Sequence, residues 1–259
     1  MKLISLNTLG ATQGDTFFAY IKENAKDTDI FCFQEIFSAP QGVPEISSGA
    51  CTRLFQELSG MLQEFEGIFA ARSSGYDFNG PVDFPLEHGV AVFIRKHIQV
   101  INSRIEEMGT PAGTGKNPVE GKTIAQVFNL AGAGKPFCVV NYHGPALPGD
   151  KLDSPERIAN SRALGAIWEN LGAKAKILCG DFNLMPEIES VKILDHLGRD
   201  LIKEFKITNT RNEISWDKYH NKQYFADYTF TSPEVNVKSF EVPYSLVSDH
   251  LPMVLEFEI

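Results

Sequence analysis

The sequence predicts an α/β or α+β protein, and three observations carry that reading. Short apolar runs rich in Val, Ile and Phe recur along the whole chain, several with the period-two alternation of half-buried strands. Only a few segments between them repeat at helical spacing. At 259 residues, 43% hydrophobic and 22% charged, the chain has the balance of a globular protein with a sizeable core and not of a disordered one.

In chain order, strands are predicted at 2–7, 29–34, 67–72, 89–95, 98–105, 122–130, 136–142, 175–180, 225–231, 235–241 and 251–258. In the last of these Leu251, Val254 and Phe257 interleave with polar or small residues. Helices are predicted at 15–26, 51–64, 154–171 and 187–197. The third has the clearest start: Ser154 as N-cap, Pro155 at the first helical position, where a missing N–H costs nothing, and Glu156 in the first turn. The intervening segments 36–50, 73–87 and 109–121 are rich in Gly, Pro or Ser, and 211–224 is polar with Trp216 and Tyr219. None is repetitive enough for a linker, and strands resume after each. Residues 1–259 are therefore expected to form one domain, with long loops gathered where binding is done.

With 33 acidic and 24 basic side chains, the net charge is −9. That argues against holding long nucleic acid on a broad basic surface, while leaving room for a small phosphate substrate. No apolar run approaches the ~20 residues of a membrane span, and the amino terminus is too short and polar for a signal peptide. Cys32, Cys138 and Cys179 lie in apolar runs, Cys51 in a polar one, without CxxC spacing. A cytoplasmic monomer with free thiols and no stable membrane association is the expectation.

Function is written where polar residues meet strand ends. Asn7 closes the first strand, Gln34-Glu35 the second, and His143 follows Cys138-Val-Val-Asn-Tyr142. Asp181-Phe-Asn183 follows Lys176-Ile-Leu-Cys-Gly180, Asp227 lies inside a later strand, and Ser248-Asp249-His250 precedes the last. Any one of these alone is more often a turn or a solvated end. Six at six strand ends can converge on one sheet edge, as sites in open sheets do. Oxygens of Asn, Glu and Asp suit a hard cation, Mg²⁺ or Mn²⁺, and two histidines beside it suit chemistry at a phosphoryl centre.

The stretches Ile4-Ser-Leu-Asn7, Phe33-Gln-Glu35, Asn141-Tyr-His143, Gly180-Asp-Phe-Asn183, Ala226-Asp-Tyr-Thr229 and Ser248-Asp-His250 resemble, in order, the motifs of the endonuclease/exonuclease/phosphatase superfamily. The resemblance implies a four-layered sandwich of two mixed β-sheets flanked by helices. It makes Glu35 the principal metal ligand, with Asn7 and Asp249 close by. Asp181 would orient or deprotonate the attacking water, Asn183 would bind the scissile phosphate, and His250, oriented by Asp227, would contact phosphoryl oxygens. His143 matches the general acid of the deoxyribonuclease and sphingomyelinase branches. It argues against the abasic-site branch, as does Leu9, where those enzymes carry an aspartate.

Helical geometry adds one feature. At 100° per residue Arg157, Asn160, Leu164, Ile167, Trp168 and Leu171 share a face. Arg157 and Asn160 are expected to bind substrate, Arg157 by reaching the metal carboxylates or the phosphate; the alternative is a buried ion pair. His88 could line the same rim, and Arg72, Lys116, Arg211 and Lys222 could form a local basic rim. The expected activity is a metal-dependent phosphodiesterase or nuclease using in-line water attack on a phosphate-ester substrate, with a short nucleic acid or nucleotide among the candidates. The rivals are a phosphomonoesterase or lipid-headgroup phosphodiesterase, and a non-catalytic binding module on the same fold.

Overall fold

The structure, a computed structural model, describes residues 1–108, 122–216 and 223–259. Its strands are β1 (Lys2–Asn7), β2 (Ile30–Ser38), β3 (Phe65–Ser74), β4 (Tyr76–Asp77), β5 (Gly80–Pro81), β6 (Glu87–Arg95), β7 (Gln99–Met108), β8 (Thr123–Gly132), β9 (Lys135–His143), β10 (Ala175–Asp181), β11 (Arg199–Asp200), β12 (Asp227–Thr231), β13 (Asn236–Glu241) and β14 (Met253–Glu258). The α-helices are α1 (Asp15–Asn24), α2 (Leu54–Met61), α3 (Pro155–Glu169), α4 (Glu189–Leu194), α5 (Leu201–Glu204) and α6 (Glu213–Trp216).

Two six-stranded sheets run in the orders β13-β14-β1-β2-β6-β3 and β11-β12-β10-β9-β8-β7. Each contains one parallel pair, β1 with β2 and β9 with β10, among antiparallel neighbours, so both are mixed. Period two sorts the β1 and β2 side chains between two buried faces. Leu3, Ile30 and Cys32 join Val127, Val139 and Ile177 of the opposite sheet. Ile4, Leu6, Phe31 and Phe33 pack under Phe17 and Ile21 of α1 and Leu54 and Leu58 of α2. Leu164 and Trp168 of α3 and Val191 and Leu194 of α4 cover the second sheet's side. The result is a sandwich flanked by helices. Burial of both strand faces explains why the β1 and β2 segments read as nearly continuous apolar runs.

The predicted long strands and helices all occur, with shifted ends. The strand predicted to stop at residue 34 runs on to Ser38, and the second and fourth helices shorten to Leu54–Met61 and Glu189–Leu194. The segment 73–87 holds a small hairpin, β4–β5, tightened by the Asp77 carboxylate, which accepts from the N–H groups of Asn79 (2.7 Å) and Gly80 (2.9 Å). The expectations for the loop 109–121, Lys116, Tyr219 and Lys222 lie outside the described residues. All four cysteines are free thiols. Among the described residues no helix is long and apolar enough to cross a membrane.

Candidate active site

The two parallel pairs end on one rim of the sandwich. The last registered partners are Asn7 with Gln34 and His143 with Asp181, so four carboxyl ends deliver polar residues together. β12 enters antiparallel with Asp227 opposite Asp181, and His250 bridges Arg211 just ahead of β14. Gly180 has φ +140°, and a Cβ there would stand 2.0 Å from the Tyr142 carbonyl oxygen, which accounts for glycine before Asp181.

Glu35 owes its direction to a β-bulge. Gln34 faces Val90 and Ile36 faces Gly89, which leaves Glu35 as an extra residue at φ +56°, in the left-handed region. A second bulge lies on the other side of β6: Ala71 faces Gly89 and Ser73 faces His88, so Arg72 is the extra residue of β3. Gly89 is obligatory between them, since a Cβ would lie 1.9 Å from the Ala70 carbonyl oxygen.

Hydrogen bonds tie the floor of the site together. Asn7 Nδ2 donates to Asp181 Oδ2 (2.9 Å), and the Asn183 N–H donates to Asp181 Oδ1 (2.8 Å). His250 Nδ1 lies 2.8 Å from Asp227 Oδ2, which turns Nε2 toward Asp181 Oδ2 at 3.8 Å. His143 Nε2 approaches that same Oδ2 at 3.7 Å and Glu35 Oε1 at 3.9 Å. These last separations are too long for direct hydrogen bonds and leave one polar spot faced by two imidazoles and two carboxylates.

The charges are set by burial and by these neighbours. Burial opposes a charge on Asp181, but His250, Lys151 and the Asn7 donor override it and hold the carboxyl well below the usual range. Burial opposes a charged His250 too, yet Asp227, Asp249 and Asp181 push its pKa up to about 9. Burial and the adjacent Asp249 push the Glu35 carboxyl up to about 7, against the pull of His250 and Asn7. His143 is held uncharged by burial and Arg72.

A cavity of about 380 Å³ opens over this floor. Its lining includes Glu35, His143, Asp181, Asn183, Asp249 and His250. Three buried cations join them. Lys151 donates to Asn183 Oδ1, Arg211 donates to Asp249 Oδ2 (3.2 Å), and Arg72 is oriented by its Nε donating to the Lys122 carbonyl (3.1 Å). Sequence reasoning gave Arg72 and Arg211 only as a possible rim and missed Lys151. Lys151 sits at φ +58° in a loop whose path no local pattern encodes.

Arg157 is placed differently from the expectation. It shares the buried face of α3 with Asn160, Leu164 and Trp168, as the spacing implies, but neither Arg157 nor Asn160 lines the cavity. Its guanidinium donates to the carbonyls of Leu152 (2.6 Å), Pro145 (3.3 Å), Pro148 (2.5 Å) and Ala146 (3.3 Å) and pairs with Asp150 (3.3 Å). The loop after His143 curls over the helix start and presents its carbonyls to the arginine before the site carboxylates can be reached. Asn160 is buried beside it, with no hydrogen-bond partner for its Nδ2 among the described residues.

Comparison with known proteins agrees with this fold. A model of the endonuclease/exonuclease/phosphatase family matches residues 4–250. The chain belongs to that family. No curated sequence matches it. An endonuclease/exonuclease/phosphatase from Bacteroides vulgatus has a similar structure, at 20% identity and TM-score 0.69 over 100% of this chain and 98% of that one. So has the human Nocturnin catalytic domain with bound sulfate, at 22% identity and TM-score 0.68 over 100% and 93% of the two chains. A mannosyl-6-phosphatase from Bacteroides thetaiotaomicron follows at 18% identity and TM-score 0.68, with both chains covered at 100%. At these identities the likeness shows the fold.

Members of the endonuclease/exonuclease/phosphatase family are generally metal-dependent phosphoester hydrolases, and the donor set here fits a divalent cation. Glu35, His143 and Asp181 offer ligand atoms within 4.8 Å of one another. Among the described residues Glu35 Oε2 is buried with no hydrogen-bond partner, a costly state that a cation would relieve. Of the expected companions, Asn7 hydrogen-bonds into this cluster, while one Asp249 oxygen is engaged by Arg211.

Proposed function

We propose that the protein hydrolyses phosphoric esters with Mg²⁺ or Mn²⁺ by in-line attack of water, in the cytoplasm and as a monomer. Glu35 holds the cation, with Asn7 and Asp249 at its side, and the cation supplies charge neutralisation at the phosphoryl group. Asp181, its carboxylate fixed by Asn7 and the Asn183 N–H, orients or deprotonates the water. His250, charged and held by Asp227, stabilises the negative charge that grows on the phosphoryl oxygens. His143 faces the same spot and meets the leaving-group oxygen, and Asn183 meets the phosphate. The single observation that carries this reading is the chain of contacts Asn7–Asp181–His250–Asp227, which points Nε2 of a charged imidazole at the space beside an ionised aspartate. A non-catalytic module would have no use for that juxtaposition. The same machinery serves diesters, the class the sequence favours, and monoesters; the walls of the cavity choose between them.

The test is hydrolysis of a panel of diesters and monoesters with Mn²⁺, beside calorimetric titration of Mg²⁺ and Mn²⁺. Wild-type protein is expected to bind the metal and to lose all activity in EDTA. Glu35→Ala or Glu35→Gln should lose both metal binding and hydrolysis while keeping the fold. Full activity in excess EDTA would overturn the proposal.

A further inference from the structure

The part of the cavity that this reading leaves unused lies between β6 and the β4–β5 hairpin. His88 lines it and is 6% exposed, and neither ring nitrogen has a hydrogen-bond partner among the described residues. Its ring lies 4.8 Å from that of Phe37, 5.8 Å from that of Phe78 and 6.5 Å from that of His143. Leaving a buried imidazole without partners is costly unless something else supplies them. Burial and Arg72 push its pKa down to about 3, so the ring presents one donor and one acceptor, the complement of a hydroxyl group. Phe78, half-buried, and Asn79, exposed, stand beside it at the cavity wall and offer an apolar face and, with Nδ2 donating to Ser47 Oγ (3.0 Å), an amide oxygen.

Arg72 comes to this wall from the β3 bulge, and Lys151 and Arg211 approach from the loop after β9 and the segment before β12. Cations therefore reach the cavity from three separate elements, Arg211 already paired with Asp249. At neutral pH a phosphomonoester carries close to two negative charges, a diester one. A cavity of about 380 Å³ is at the small end of the range for small-molecule sites, and a chain with net charge −9 repels long polyanions.

Resting on the hydrolase reading, we infer that the substrate is a small phosphomonoester of a polyhydroxylated alcohol, a sugar phosphate, with Arg72, Lys151 and Arg211 around the phosphate and His88, Phe78 and Asn79 receiving the sugar. In the reaction the water oxygen bonds phosphorus, the ester P–O bond breaks and the sugar oxygen takes up a proton. Free sugar and inorganic phosphate leave.

The experiment compares mannose 6-phosphate, ribose 5-phosphate, p-nitrophenyl phosphate, bis-p-nitrophenyl phosphate and a ten-nucleotide single strand, each with Mn²⁺. The sugar phosphates should exceed both diesters by about 100-fold or more in kcat/KM. His88→Phe keeps the ring packing and removes the hydroxyl partners. It should lower the ratio of sugar-phosphate to p-nitrophenyl phosphate turnover by about ten-fold, roughly the loss of one hydrogen bond of 1.4 kcal/mol. Diesters cleaved as well as the sugar phosphates, or an unchanged ratio in His88→Phe, would overturn the inference and leave the hydrolase reading standing. If no ester is cleaved with Mn²⁺, nor with Mg²⁺ in its place, that reading falls, and calorimetry decides the rest. Tighter binding of mannose 6-phosphate than of inorganic phosphate, lost in His88→Phe, supports the sugar site; equal binding refutes it.

Discussion

The floor and the walls of the cavity are built in opposite ways. The floor residues Asn7, His143, Asp181 and Asp227 belong to strands, and their positions follow from ladder registers that persist through the whole sandwich. The walls come from a bulge (Arg72), a left-handed loop residue (Lys151), a segment joined to the sheet by an isolated bridge (Arg211) and a two-residue hairpin (Phe78, Asn79). Chemistry that must be held to fractions of an ångström rests on the rigid part. Selection among substrates rests on parts that can change without disturbing the core.

The sharpest way to break that division is at the floor. Asp181→Asn keeps the shape but leaves one amide oxygen for the two donors Asn7 and the Asn183 N–H, and it removes the carboxylate; kcat should fall by about a thousand-fold with a melting-temperature loss of a few degrees at most. A loss below ten-fold would move the water-activating role elsewhere. Asp227→Asn should cost about a hundred-fold, because His250 loses the carboxylate that fixes its orientation and its charge. Chemical shifts of the His250 ring should show the change of protonation directly.

On the wall side smaller effects are expected. Lys151→Met should raise KM for the preferred ester by about ten-fold and leave kcat within a few-fold. An equal loss in kcat would place Lys151 on the transition state. The mildest test is Arg157→Lys. If the guanidinium secures the loop 145–152, a lysine with its three donors in another geometry should lower the melting temperature by a few degrees. KM should rise two- to five-fold as the loop loosens. A ten-fold loss of kcat with no thermal effect would restore a direct contact with the phosphate.

The same division explains what could be read in the sequence. β1, β2, β9 and β10 announce themselves as apolar runs, and the residue that ends each run is fixed in space by the run itself. Asn7, His143 and Asp181 were therefore legible as a group, whereas Glu35, an extra residue inside β2, owes its direction to the bulge. His250 and Asp249 were legible because they stand immediately before a strand. Lys151 was not, since a positive φ in a ten-residue loop depends on contacts with Met185 and Asn183 from far along the chain. Arg157 was half legible: helical spacing gave its buried face, but the loop that captures it has no periodicity to read. The two bulges were invisible too, because an extra residue in an apolar run looks like any other residue of it.

Because Glu35 and Arg72 are each one residue more than the ladder needs, the lengths of β2 and β3 are fixed in any lineage that keeps this chemistry. Deleting one residue between Ile30 and Glu35 would close the ladder and turn the remaining side chains onto the wrong face, at the cost of both core and carboxylate. The same holds between Phe65 and Arg72. Descendants of this chain can therefore gain or lose residues at 39–53 or 144–153 and acquire new substrates. Gaps inside those two strand segments should mark lineages in which hydrolysis has been abandoned.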